Sequence, residues 1–148
     1  MYVVRNNGFI DQVKKVIEEA ATNFHSFSND RRSIVDAVGH YFRSNNEIEG
    51  TSDNGVLRTA DGWMYTANII VSAPMEQARM VCNEWNSRLT ELTESGFEQE
   101  VIQMTESTPH DIYGWRYIGK EMMVVLELWP LSGDDDQGTL NLAFFNWL

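Results

Sequence analysis

The stretch Trp63–Glu94 constrains the fold more than any other part of the sequence. It opens with alternating residues and a β-branched run, Asn68–Val71, which is typical of a strand. Ser72–Pro74 then indicates a boundary, because Ser can cap a helix and Pro is tolerated in a first turn but not in a helix interior. Apolar residues recur after this boundary at steps of three and four: Met75, Ala78, Val81, Cys82, Trp85, Leu89 and Leu92. The stretch therefore predicts a strand that leads directly into an amphipathic helix, which Gly96 ends.

Two more helices are predicted before this unit. Asn6-Asn7-Gly8 is typical of a turn, and an amphipathic pattern follows it from Phe9 to Phe24. A second apolar face predicts a helix over Arg31–Arg43. The segment 44–55 is polar and contains glycine, so we interpret it as an exposed loop.

The remaining patterns predict strands. Asp61-Gly62 favours a two-residue hairpin turn, so 56–59 is expected to pair with the strand that begins at Trp63. Alternating or compact apolar runs predict four later strands: Glu100–Thr105, Tyr113–Ile118, Glu121–Trp129 and Thr139–Leu148. This order is typical of a single α+β domain over residues 1–148. We expect a mostly antiparallel sheet of about five strands, with two to three helices packed on it.

The chain is acidic, with 22 carboxylates against 11 Lys and Arg and a formal net charge of −11. That balance argues against binding nucleic-acid phosphates, which requires a basic surface. The charge is also uneven: residues 1–43 hold six basic and five acidic groups, whereas residues 44–148 hold five basic and 17 acidic groups. In a self-assembling protein this asymmetry could orient neighbouring copies, although chance is the plainer interpretation.

Nothing in the sequence indicates an oxidising compartment or a membrane. Cys82 is the single cysteine and cannot form an internal disulfide. The N-terminus lacks the apolar core of a signal peptide. The longest apolar run, Met122–Leu126, is far shorter than the ~20 residues that span a bilayer. We therefore expect a cytoplasmic protein, or one that is assembled in a cytoplasm.

Candidate chemical groups are few, and each has a plainer interpretation. His40 with Glu47 and Glu49 could bind a metal, although their spacing does not require one shared face. His110-Asp111 could act as a base, but no nucleophile is evident beside it. Asp134–Asp136 could bind a hard cation, although a solvated hairpin loop fits better, since no later carboxylate completes a calcium loop. We expect no enzymatic activity, no metal and no cofactor.

The aromatic C-terminal part is more informative. In a strand over Thr139–Leu148, alternation places Phe144 on one face and Phe145 and Trp147 on the other. Both faces are therefore apolar, and either the chain's own helices or another copy must cover them. If another copy does, the candidate interface residues are Trp129, Leu131, Phe144, Phe145 and Trp147.

The element order resembles that of the tail-terminator, or tail-completion, proteins of long-tailed bacteriophages. The segments that carry the resemblance are an N-terminal helix, WMYTANIIVSAP leading directly into MEQARMVCNEWNSRL, then EVIQMT, a polar loop and DIYGWRYIGKEMMVVLELWP. Together they cover about two-thirds of the chain. The helix over Arg31–Arg43 and the strand Thr139–Leu148 depart from the family's pattern.

The resemblance implies a homo-hexameric ring that closes the tail tube and connects it to the neck, without catalysis. The partners are then other copies of the chain and neighbouring structural proteins, in a virion assembled in the host cytoplasm. The size and charge leave a second hypothesis open. A small acidic inhibitor, such as an immunity or anti-defence protein, could block a basic nuclease or another nucleic-acid-binding partner.

Overall fold

The computed structural model describes residues 2–22, 24, 33–35, 40–44, 46–59, 62–102, 113–131 and 134–146. These residues form an α+β fold in which two helices pack on one face of an antiparallel sheet. The helices are α1 (Tyr2–Glu19) and α2 (Met75–Leu89), and 3₁₀ turns follow them at Ala20–Thr22 and Thr90–Ser95. The α+β class predicted from the sequence is confirmed.

The sheet has more strands than the sequence indicated. Eight strands lie within the described residues: β1 (Ser33–Val35), β2 (His40–Arg43), β3 (Ser52–Thr59), β4 (Gly62–Pro74), β5 (Glu98–Ile102), β6 (Tyr113–Ile118), β7 (Met122–Leu131) and β8 (Asp134–Asn146). Their order is β1-β2-β3-β4-β8-β7-β6-β5, and each neighbouring pair is antiparallel. The prediction of about five strands was too low, because β1 and β2 come from a segment assigned to a helix.

The predicted helix over Arg31–Arg43 is wrong, since its described residues belong to β1 and β2. Phe42 lies opposite Val56 on β3, and its ring stacks on Trp63 with centroids 6.0 Å apart. Aromatic and β-branched residues fit a half-buried sheet as well as a helix face, so their spacing alone does not decide between the two. Pairing with β3, which lies more than ten residues away in sequence, decides it.

α1 begins earlier than predicted. It is already helical at Tyr2 and continues through Asn6-Asn7-Gly8, the residues predicted to form a turn. A glycine inside a helix costs about 1 kcal/mol relative to alanine, which packing of the rest of the helix readily outweighs. The apolar face of the predicted helix is confirmed, because Ile10, Val13, Val16, Ala20 and Phe24 are all buried.

The strand-to-helix unit at the centre of the chain has the predicted form but a later boundary. β4 continues to Pro74, and α2 begins at the next residue. Ser72 does not cap the helix; its hydroxyl lies 3.3 Å from Gln137 Oε1 on β8. Gly96 terminates the following 3₁₀ turn with φ of 93°, as predicted. The predicted apolar face is also confirmed, since Ala78, Cys82, Trp85, Leu89 and Leu92 are buried.

The order of elements repeats once along the chain. Residues 2–74 contain a helix, a 3₁₀ turn and strands β1–β4, and residues 75–146 contain the same series with β5–β8. The strand order is symmetric about the junction of β4 and β8, where the two halves meet. The sequence has no matching repeat, so the symmetry lies in the backbone arrangement. One result is that β8, the last strand along the chain, lies in the middle of the sheet.

An aromatic cluster joins β4 and β8 to Phe24, which follows the first 3₁₀ turn. The Tyr65 ring lies 6.0 Å from the ring of Phe24 and 5.7 Å from that of Phe144, and all three side chains are fully buried. The Tyr65 hydroxyl lies 2.8 Å from Asn54 Oδ1, which also accepts a hydrogen bond from the Ile48 amide. Segment 44–55 is therefore not simply an exposed loop. Its last residues belong to β3, and its polar groups fasten it to the core.

Gly114 on β6 provides a test of the sheet packing. A Cβ atom at this position would lie 1.9 Å from the Leu126 carbonyl oxygen on β7, and φ is +156°. We expect Gly114→Ala to lower the free energy of unfolding by about 2–4 kcal/mol, through both the collision and backbone strain. Chemical denaturation monitored by circular dichroism measures this.

Gly96→Ala is the matched control, because Gly96 also has positive φ but has open space around its Cβ position. It is expected to cost only about 1–2 kcal/mol. Equal losses of stability in the two variants would contradict the predicted collision.

Candidate protein-binding surface

The two faces of the sheet differ in what covers them. On one face the fully buried side chains of Tyr65, Phe144, Val124 and Tyr117 lie opposite one another on four adjacent strands. The Tyr117 hydroxyl donates a hydrogen bond to Asn86 Oδ1 on α2, so this is the face that the helices cover. Side chains alternate along a strand, and each next residue therefore points to the other side. We call that side the open face, because neither α1 nor α2 lies on it.

An apolar row crosses the open face. Directly opposed residues of adjacent strands point to the same side, and the register aligns five of them, from β3, β4, β8, β7 and β6. This apolar row consists of Leu57, Met64, Phe145, Met123 and Ile118. All five side chains are partly exposed. At about 4.8 Å per strand, the row is about 19 Å long.

The adjacent row of the open face is apolar in the middle and charged at its ends. Ala143 and Val125 form the middle, and Val125 is only 2 % exposed. Arg43 on β2 is exposed at one end. Glu100 on β5 is exposed at the other end and accepts a hydrogen bond from Arg116 Nη1 at 3.2 Å. An apolar centre with a polar rim is typical of protein–protein interfaces.

A third row contains an unpaired acceptor. Asn141 on β8 lies opposite Asn68 on β4 and Glu127 on β7. Its side-chain oxygen, Oδ1, is buried and has no hydrogen-bond partner among the described residues. Leaving a buried polar atom unpaired costs roughly 1–3 kcal/mol. The chain's own atoms cover this oxygen, so a donor from outside the chain does not reach it in this conformation.

The five residues predicted at an interface fall into three groups. Phe145 belongs to the apolar row, and Trp129, which is 37 % exposed, lies further along the same face of β7. Phe144 points to the opposite face and is fully buried in the chain's own core, so we correct its assignment to an interface. The side chain of Leu131 and all of Trp147 lie outside the described residues.

The sequence did not identify the other members of the apolar row. Leu57, Met64, Met123 and Ile118 come from four different strands, and none stands out in its own segment. Only the register of the sheet brings them into line. Alternation in each strand was the available signal, but it does not tell which residues of neighbouring strands oppose one another.

The candidate metal ligands do not come together in the described part of the chain. No group of three or more His, Cys, Asp or Glu side chains there is arranged to hold a metal ion. Glu47 and Glu49 are exposed, and the backbone of His40 lies in β2. Asp134–Asp136 are the first residues of β8 rather than part of a loop, with Asp134 opposite Leu131 and Asp136 exposed. His110-Asp111 lies outside the described residues.

The helix side carries an open depression of about 650 Å³ at the start of α2. It is lined by Pro74, Met75, Glu76, Arg79, Met80, Asn83 and Asp136. Met80 is 68 % exposed there, and the Arg79 guanidinium lies 5.9 Å from the centre of the Tyr113 ring. The lining of this depression mixes apolar, acidic, basic and amide side chains.

Two buried groups under α2 have altered acidity. Burial raises the pKa of the Cys82 thiol from 9.0 to about 12, so the thiol stays protonated and unreactive in the folded chain. Burial likewise raises the pKa of the Tyr117 hydroxyl above its ordinary value. Both groups are neutral near pH 7 and belong to the core.

No protein-family model matches the chain, and no curated protein matches its sequence. Among the helices that the structure describes, none combines the length and apolar character needed to cross a membrane. The site is therefore interpreted from its own geometry.

Stability is expected to fall as pH rises from about 9 to 12. In the unfolded chain the Cys82 thiol ionises near its ordinary pKa of 9.0, whereas in the folded chain it stays protonated to about 12. Unfolding therefore releases a proton in this range, and alkali favours the unfolded state. Thermal melts at a series of pH values measure the decline. Cys82→Ala should make it shallower; an unchanged slope in that variant would contradict the assignment.

Proposed function

We propose that this protein is a non-catalytic structural subunit that associates with other copies of itself through the open face of its sheet. The carrying observation is the apolar row, in which five partly exposed side chains adjoin across five strands. Contiguous apolar surface of this kind marks association sites on proteins.

The specific form that we propose is a homo-hexameric ring that terminates a phage tail tube and connects it to the neck. Support comes from the resemblance in element order described above, above all the strand that passes directly into α2 at Pro74. The acidic composition is consistent with a subunit that contacts proteins rather than nucleic acid. The protein would then belong to a virion assembled in the host cytoplasm.

Phe145→Asp is expected to weaken self-association about tenfold or more while leaving the fold intact. Phe145 lies at the centre of the apolar row, and a carboxylate there would lose its water in the interface without gaining a partner. Size-exclusion chromatography with light scattering, over a series of concentrations, measures the effect, and negative-stain microscopy detects rings.

Met80→Asp is the matched control, because it removes an exposed methionine from the helix side. It should leave the association constant unchanged. A wild-type protein that is strictly monomeric at micromolar concentration and forms no rings would count against the proposal.

A second candidate function, an acidic inhibitor of a basic nuclease or nucleic-acid-binding protein, is favoured by one observation. Glu98, Glu100 and Glu121 are all exposed at the β5 side of the sheet. If this function holds, the protein should capture a basic partner whose affinity falls steeply with added salt. A partner retained equally at low and high salt would weaken this candidate.

A further inference from the structure

We infer that the open face pairs with the open face of a second copy of this chain, about a two-fold axis that runs along β8. The inference rests on the self-association proposed above and specifies its surface, symmetry and contacting residues. It is carried by the symmetry of the apolar row and by the charges at the ends of the adjacent row.

The apolar row is symmetric about Phe145. Met64 and Met123 lie one strand to either side of it. Leu57 and Ile118 lie two strands to either side. An axis along β8 reverses the strand order of the second copy. Met64 of one copy then faces Met123 of the other, and Leu57 faces Ile118. The two Phe145 rings face each other. Contacts between identical surfaces require this self-complementarity.

The charges at the ends of the adjacent row select the direction of the axis. Arg43 on β2 and Glu100 on β5 each lie three strands from β8, on opposite sides. An axis along β8 brings Arg43 of each copy toward Glu100 of the other, which also keeps its ion pair with Arg116 of its own chain. A two-fold axis across the strands would instead place like charges over one another. Because sheets twist, these end residues orient the pair rather than pack tightly.

The area available is sufficient for a stable pair. The five strands of the apolar row have 8, 13, 13, 10 and 6 residues. At about 4.8 Å between strands and about 3.3 Å per residue, they present roughly 800 Å². Stable interfaces bury about this area on each partner. A two-fold contact closes after two copies, so a ring of six would need a second, different contact to join three such pairs.

Site-directed cross-linking tests the pairing. Phe145→Cys lies on the axis, and a bismaleimide that reaches about 10 Å should link it to its own copy. Leu57→Cys is the matched control, because two copies of it lie about four strands, or 19 Å, apart along the sheet. It should not link to itself, but it should link to Ile118→Cys when the two variants are mixed. The wild type provides the background, since Cys82 is fully buried.

A charge reversal provides a second measurement. Arg43→Glu should weaken the pair measurably in low salt, whereas Arg43→Lys, which keeps the positive charge, should not. An association that Arg43→Glu leaves unchanged would contradict the contact with Glu100. Circular dichroism of each variant shows whether it is folded.

The outcomes separate this inference from the proposed function. Suppose that the protein self-associates. If Phe145→Cys then fails to link to its own copy, or if Leu57→Cys also links to itself, the two-fold pairing is overturned and self-association remains. A protein that is monomeric at every concentration overturns both. Linking at Phe145→Cys together with the mixed Leu57–Ile118 link supports the pairing.

Discussion

The pairing of β4 with β8 is the interaction on which the rest of the structure depends. These two 13-residue strands join the N-terminal and C-terminal halves, each of which supplies one helix and four strands. On one side of the pair, Tyr65 and Phe144 form the centre of the core with Phe24. On the other side, Met64 and Phe145 form the centre of the apolar row. A single register therefore sets both the core and the candidate interface.

Much of the fold follows from local sequence signals. The helical face from Ala78 to Leu92 and the hairpin between β3 and β4 both came from short-range patterns, which periodicity and turn chemistry determine. The errors occurred where distant pairing decides the outcome. Phe42 forms part of a strand because Val56 lies beside it, and no pattern within 31–43 encodes that neighbour. Strand propensity depends on context in this way more than helix propensity does.

The candidate surface was predictable only in part, for a related reason. Phe145 and Trp129 stand out in the sequence as bulky residues near an apolar strand, and both lie on the open face. Phe144 is equally bulky and apolar, but its side chain points to the face that the helices cover. Alternation alone does not tell which of two apolar faces that is. Leu57 and Ile118 can be recognised as members of the apolar row only when the register of all five strands is known. Asn141 is unremarkable in sequence, since an unpaired acceptor is a property of its surroundings.

The position of β8 has a consequence for how the protein is made. β8 is synthesised after all the other strands, yet it fills the gap between β4 and β7. The two half-sheets can therefore join only after Phe144, which lies 79 residues after its partner Tyr65, has been synthesised. Contacts between such distant residues form slowly, and the waiting halves expose unpaired strand edges at β4 and β7. A chain in which β8 has not yet paired with β4 and β7 is therefore the form most prone to aggregation.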